Sequence, residues 1–136
     1  MTPGTEPDRV TLLFVEDDCA MLSLAGIALK AAGYNALLAA NGREAVEQYT
    51  ASHSDIDFAV VDLMLPDMHG AEVIRRLVAI DDHVRILVAT GLNREDAREA
   101  LEAGAIDVIR KPYSISNLHD QLSRYLPVAS GAGAGT

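Results

Sequence analysis

The sequence lacks the features of several protein classes. Its single cysteine, Cys19, excludes an internal disulfide framework and fits a reducing compartment. No apolar run approaches the ~18 residues of a membrane span, and the N-terminus lacks the basic and then apolar pattern of a signal peptide. We therefore expect a cytoplasmic protein that has no membrane partner.

Positive charge is also scarce. The chain has 11 lysines and arginines against 20 aspartates and glutamates, a net charge of −9. A protein that binds the phosphate backbone of a nucleic acid presents a basic face, so this balance argues against nucleic acid as the direct ligand. It is compatible with a divalent cation or a basic protein partner.

The 136 residues, 49% of them hydrophobic, are enough for one domain with a substantial core. We predict a disordered leader over residues 1–8, a folded domain over residues 9–126 and a flexible tail, rich in glycine and alanine, over residues 127–136.

Within the predicted domain, short apolar runs alternate with segments of helical periodicity. This alternation predicts an α/β fold, a doubly wound five-stranded parallel sheet with helices on both faces. The predicted strands are 10–15, 35–40, 58–62, 84–90 and 105–109, and the predicted helices are 19–32, 43–52, 71–80, 94–103 and 115–125.

The third strand organises the rest of the chain. It is an apolar run without polar alternation, typical of a strand buried on both faces, and it ends at Asp62. Pro66 and Gly70 then favour a loop. Asp62 is therefore expected at the carboxyl edge of the sheet, where open α/β folds bind ligands. The alternative is that Asp62 only caps the next turn.

The ends of the first, fourth and fifth strands bring other polar side chains to the same predicted edge: Glu16 and Asp17, Thr90, and Lys111. Crowded carboxylates repel one another, by roughly 4 kcal/mol per pair at ~4 Å and an effective dielectric of about 20, so the group favours a cation. Oxygen ligands suit Mg²⁺, and a carboxylate can attack phosphorus to form an aspartyl-phosphate. We also expect that neutralising Asp17 or Asp62 stabilises the metal-free fold.

These residues resemble the signature of the receiver domain of two-component response regulators. The resemblance covers residues 9–126, and it rests on Glu16-Asp17, Asp62 with Pro66 and Gly70, Thr90, and Lys111-Pro112. It implies a flavodoxin-like fold and phosphorylation of Asp62 by a sensor histidine kinase or a histidine phosphotransfer protein. The implied role is a signalling switch that acts on an unknown downstream protein and catalyses only its own phosphorylation and dephosphorylation.

The resemblance also implies the ligands of the metal. Mg²⁺ would be held by Asp17, Asp62, the backbone carbonyl of Met64 and, through water, Glu16. Thr90 and Lys111 would meet oxygens of the phosphoryl group, and the Lys111-Pro112 bond is expected to be cis.

Two features depart from the family pattern. The residue three before the lysine is usually an aromatic that couples phosphorylation to a conformational change, and here it is Val108. No output domain follows the last predicted helix, so we expect a stand-alone receiver or one excised from a larger protein.

Two other functions fit the sequence less well. A phosphatase of the haloacid dehalogenase type also uses a strand-end aspartate, but it needs an acid two residues later, where this chain has Met64. A flavin-binding electron carrier would place the FMN phosphate after the first strand, where Glu16, Asp17 and Asp18 would repel it. The four histidines lie on separate elements without metal-ligand spacing, so no zinc site is expected.

Overall fold

The computed structural model describes residues 9–91 and 94–126, in which five strands alternate with five helices. The predicted leader and tail lie outside the described residues. The elements are β1 (Thr11–Val15), α1 (Cys19–Ala31), β2 (Asn35–Ala39), α2 (Gly42–Ser52), β3 (Phe58–Asp62), α3 (Gly70–Ile80), β4 (Ile86–Thr90), α4 (Arg94–Ala103), β5 (Asp107–Arg110) and α5 (Ile115–Leu122).

The strands form one parallel sheet in the order β2-β1-β3-β4-β5. The predicted fold class is therefore confirmed. The chain order reverses between β1 and β3, and in such sheets this reversal opens a crevice at the carboxyl ends of the strands. Asp62 ends β3, the central strand, and Glu16 directly follows β1, so both lie at that crevice.

Side chains that alternate along the strands build two apolar cores. Leu13, Val15, Ala59 and Val61 pack with α2, α3 and α4, and Leu12, Phe14, Phe58 and Val60 pack with α1 and α5. Every residue of β1, β3 and β4 is buried, which is why these strands read as continuous apolar runs.

Several element boundaries differ from the predicted ones because some apolar residues predicted to lie in strands form turns instead. The backbone N–H of Ala105 bonds to the carbonyl of Ala100, so β5 begins at Asp107. Val84 likewise closes a turn on Asp81, and β4 begins at Ile86. A 3₁₀ helix over His53–Asp55 was not predicted.

Helix ends follow the local signals of the sequence. The Asp18 side chain accepts the N–H of Met21 at 3.0 Å, so Asp18 is the N-cap of α1. Gly33 and Gly104 follow α1 and α4 with φ of 101° and 130°, values that favour glycine. Among the described residues, no helix is both long and apolar enough to cross a membrane.

Candidate functional site

The carboxyl edge of the sheet carries a cluster of three acids. One carboxylate oxygen from each of Glu16, Asp17 and Asp62 lies within 4.8 Å of the others. Asp62 and Glu16 are buried, whereas Asp17 is exposed. The structure therefore brings together the three carboxylates that the sequence placed after β1 and β3.

Lys111 reaches into this cluster from the end of β5. Its ammonium Nζ lies 2.7 Å from Asp62 Oδ2 and 3.8 Å from Glu16 Oε1. Partial burial acts to lower the pKa of Lys111, but the hydrogen bond and charge of Asp62, together with the charge of Glu16, hold it above the ordinary value. Lys111 is therefore a cation held by two carboxylates.

The surroundings of Glu16 disfavour its charged form, whereas those of Lys111 favour the charged form. Burial raises the pKa of its carboxyl group, and the negative charge of Asp62 raises it further, although the N–H of Asp18 donates to Glu16 Oε2 at 3.1 Å. Burial and the charge of Asp62 thus outweigh the effects of the Asp18 N–H and of Lys111, which favour the charged carboxylate of Glu16.

Asp62 also shapes the chain that follows it. Its Oδ1 accepts the backbone N–H of Met64 at 3.0 Å, while its Oδ2 accepts from Lys111. Asp62 therefore caps the turn and also belongs to the charged cluster, so it is more than a cap.

The loop between β3 and α3 is closed on itself. Met64 and His69 form an antiparallel bridge, and Gly70 donates its N–H to the Leu63 carbonyl at 2.8 Å. A Cβ on Gly70 would lie 2.6 Å from the Leu63 Cα. Only glycine allows α3 to begin this close to the end of β3.

The sequence did not reveal the role of Asp67 in holding this loop. Its two carboxylate oxygens accept the backbone N–H groups of Gly42 and Arg43, each at 2.8 Å, at the start of α2. Slight burial acts to raise the pKa of Asp67, but these hydrogen bonds lower it below its ordinary value. A single sequence does not indicate that an acid five residues after a strand-end aspartate caps another helix.

Thr90 and the loop after β5 form the other side of the crevice. Thr90 is buried and directly follows Ala89, the partner of Asp62 in the β3–β4 pairing. The N–H of Lys111 bonds to the Thr90 carbonyl at 3.0 Å, and the Lys111–Pro112 peptide bond is cis, as expected.

The aromatic that the family usually places on β5 has no equivalent there. Val108 is half-buried against the core beneath α4, and its carbonyl accepts the Gln121 amide at 2.7 Å. Tyr113 is the aromatic beside the acids. Burial raises the pKa of its hydroxyl, and the charges of Glu16 and Asp62 add to this effect.

The family model of the response regulator receiver domain matches residues 12–123. The chain belongs to this family. It is thus a receiver domain of two-component signalling, that is, a phosphoacceptor switch. The matches give no support to the phosphatase alternative.

Relatives of this receiver domain include proteins of similar and of much greater length. It is 30% identical over 120 residues to sporulation initiation phosphotransferase F of Bacillus subtilis, covering 88% of this chain and 95% of the relative. It is 36% identical to part of a cyclic di-GMP phosphodiesterase of Thermotoga maritima, covering 86% of this chain but 31% of that protein. The structure of chemotaxis protein CheY4 of Vibrio cholerae superimposes with a TM-score of 0.80 at 26% identity, covering 87% of this chain and 99% of the other.

The donor set of this receiver domain fits Mg²⁺. The clustered ligand atoms of Glu16, Asp17 and Asp62 are all carboxylate oxygens, and one of these carboxylates is largely open to water. Mg²⁺ favours such oxygen ligands and keeps several of its waters.

Proposed function

We propose that Asp62 is the phosphoacceptor of this receiver domain and that a sensor histidine kinase or a histidine phosphotransfer protein is the donor. The observation that carries the proposal is the 2.7 Å contact between Lys111 Nζ and the buried Asp62 Oδ2 in the acidic cluster. This contact places a cation beside the one carboxylate that ends the central strand. A phosphoryl group on Asp62 would meet that cation.

The proposed transfer balances as a nucleophilic substitution at phosphorus. An Asp62 oxygen attacks the phosphorus of the donor phosphohistidine and forms an O–P bond, while the P–N bond breaks and its electron pair remains on the histidine nitrogen. Each Asp62 oxygen accepts one hydrogen bond, from Lys111 or from Met64, so each retains a lone pair for attack. Attack by water later restores the carboxylate and releases phosphate.

Glu16, Asp17, Asp62 and the Met64 carbonyl would hold Mg²⁺, with Glu16 acting through water. When bound, Mg²⁺ supplies positive charge to the phosphoryl oxygens. Lys111 offers a second positive charge, and the hydroxyl of Thr90, at the neighbouring strand end, offers a hydrogen-bond donor. These residues neutralise the charge that develops on the transferring group.

The biological role proposed for this chemistry is cytoplasmic signalling. The domain would catalyse only its own phosphorylation and dephosphorylation, and its phosphorylated form would bind an unidentified downstream protein differently. The half-buried Val108 offers no large ring to move, so we infer that the change is carried by the segment after Thr90 and by α4.

The direct test is incubation with acetyl phosphate and Mg²⁺, followed by intact-mass measurement. We expect one phosphoryl group per chain, lost in EDTA and in Asp62→Asn. Asp120→Asn, which removes an exposed acid on α5, is the matched control and should still be labelled. Labelling of Asp62→Asn at the rate of the parent protein would refute the proposal.

A further inference from the structure

The loop that connects β3 to α3 is fastened both at its base and at its tip. At the base, Asp62 Oδ1 accepts the N–H of Met64 at 3.0 Å. Gly70 also donates its N–H to the Leu63 carbonyl there, at 2.8 Å. At the tip, the carboxylate of Asp67 binds the start of α2, which is a different part of the fold. The contact at the tip therefore ties the loop to a neighbouring helix.

The start of α2 is suited to a carboxylate with two oxygens. The first N–H groups of a helix have no partner within the helix, and the positive end of the helix dipole favours an anion. Asp67 Oδ1 accepts the N–H of Gly42 and Asp67 Oδ2 accepts the N–H of Arg43, each at 2.8 Å. The N-cap residue Asn41 accepts the next N–H, that of Glu44, also at 2.8 Å. Two side chains thus share the capping of α2, and only one of them belongs to the loop.

Packing keeps the tip of the loop close to α2. Gly42 is buried, and a Cβ at this position would lie 2.5 Å from Met68 Cγ and 3.0 Å from Val73 Cγ2. Met68 directly follows Asp67, so the chain on that side lies against the backbone of α2. On the other side, the ring of Pro66 fixes its φ and limits how the chain can adjust. Asp67 is therefore held where it can bind both N–H groups.

Met64 lies between the base and the tip of the loop. Its side chain is 58% exposed, so burial of this side chain does not fix the residue. Its backbone carbonyl has no rotamer of its own, and the conformation of the loop sets the direction in which the carbonyl points. The N–H of Gly70 bonds to the carbonyl of Leu63 and not to that of Met64. The direction of the Met64 carbonyl therefore depends on where the loop is held.

We propose that Asp67 is a positioning residue of the phosphorylation site, which holds the loop so that the Met64 carbonyl can bind Mg²⁺ together with the carboxylates. This role rests on the proposed function, in which that carbonyl is a metal ligand. Both oxygens of Asp67 are bound to α2, so Asp67 acts through the loop and not on the metal. Mg²⁺ demands near-ideal octahedral geometry, and loss of a group that orients a ligand lowers metal affinity by roughly 10- to 100-fold.

A merely structural role of Asp67 predicts different behaviour. If Asp67 only stabilised α2, its loss would have the same effects as the loss of Asn41, which caps the same helix from outside the loop. If Asp67 positions the loop, its loss weakens metal binding and the loss of Asn41 does not. The two substitutions Asp67→Asn and Asn41→Ala therefore separate a defect of the loop from a defect of the helix.

The test is an NMR titration of the metal-free full chain with Mg²⁺, followed through the backbone amide signals and without any phosphodonor. Asp67→Asn keeps the size of the side chain but turns an NH₂ group toward one of the two backbone N–H groups. We expect its Mg²⁺ affinity to be roughly tenfold or more below that of the parent. Asn41→Ala should bind Mg²⁺ like the parent, although loss of the N-cap makes α2 less stable.

Amide hydrogen exchange provides a second readout. Because coupling between sites is reciprocal, bound Mg²⁺ should in turn hold the tip of the loop on α2. We expect Mg²⁺ to slow the exchange of the Gly42 and Arg43 N–H groups in the parent and to have no such effect in Asp67→Asn. An Asp67 that only capped α2 would protect these groups equally with and without the metal.

Several results would overturn the proposal: equal Mg²⁺ affinity of the parent and Asp67→Asn, an equal loss of affinity in Asn41→Ala, or exchange at Gly42 and Arg43 that does not respond to Mg²⁺ in the parent. A parent that binds no Mg²⁺ would overturn it together with the proposed metal site. A parent that shows the expected Mg²⁺ binding but is not labelled by acetyl phosphate would refute the phosphoacceptor role of Asp62 and leave the role of Asp67 standing.

Discussion

The ammonium of Lys111 lies 2.7 Å from Asp62 Oδ2, although the strands that carry the two residues are separated by β4. The side chain of Asp62 is 5% exposed and that of Lys111 is 34% exposed, so the pair is mostly shielded from water. Removing the cation leaves a buried carboxylate without its strongest partner, whereas removing the acid leaves a cation that can still reach water and Glu16.

Lys111→Met should therefore destabilise the metal-free protein. The substitution keeps much of the side-chain volume but leaves Asp62 and Glu16 without a counterion, and we expect a loss of about 1–3 kcal/mol in the free energy of unfolding. Urea denaturation in EDTA measures this loss. Lys30→Met, at an exposed position near the end of α1, is the matched control. Equal effects of the two substitutions would mean that the buried pair contributes nothing.

Asp17→Asn should have the opposite sign in the absence of metal. It removes one negative charge from the cluster with Glu16 and Asp62, so we expect a higher melting temperature in EDTA. The parent should gain about 2.7 kcal/mol from Mg²⁺ at a hundredfold excess over its Kd, and the variant should gain less. Thermal melts with EDTA and with Mg²⁺ decide the matter. A lower melting temperature of Asp17→Asn in EDTA would show that Asp17 is a structural partner.

Gly70→Ala should weaken the fold through a backbone clash. The new Cβ would lie 2.6 Å from the Leu63 Cα and 2.9 Å from its carbonyl oxygen, and neither atom can rotate away. We expect a loss of about 1–3 kcal/mol by denaturant unfolding, as for other overpacked sites. Gly91→Ala is the control, since among the described residues its Cβ would meet only Lys111, at 3.8 Å. A Gly70→Ala protein as stable as the control would contradict the close approach.

Asp67→Asn should make stability less dependent on pH. The folded-state pKa of Asp67 is depressed below its ordinary value of 3.8, so its contribution is present above about pH 3.8 and is lost as the pH falls through the folded-state pKa. At neutral pH the asparagine can accept through only one oxygen and should destabilise α2. The difference between variant and parent, measured by urea unfolding from pH 7 to pH 3, should shrink toward the acid end. A constant difference would exclude the carboxylate charge as its cause.

Much of the fold was predictable because burial imposes a simple pattern on the chain. The central strands are buried on both faces, so they appear as apolar runs, and helices with one buried face show a helical period. The position of Asp62 at the edge follows from parallel strands alone. The start of β5 did not follow, because Ala105 looks like a strand residue but closes a turn on Ala100.

The site was predictable as a set of residues but not as a set of contacts. Sequence order places Glu16, Asp62 and Lys111 at one edge, yet it does not say which acid Lys111 approaches more closely. The sequence predicts that Asp62→Asn stabilises the metal-free protein. The contacts argue against this prediction, because Asp62 accepts hydrogen bonds from Lys111 and Met64.

Because of the sheet order, the Lys111–Asp62 contact links two strands that are not neighbours. Two strand spacings, about 9–10 Å, separate β3 from β5, and the side chains of Lys111 and Asp62 together bridge that gap at the end of β4. The residues just before Lys111 are held in turn by α5, through the bond from Gln121 to the Val108 carbonyl. The charge at the centre of the sheet is therefore linked directly to an edge strand by this side-chain contact, without passing through the packed interior.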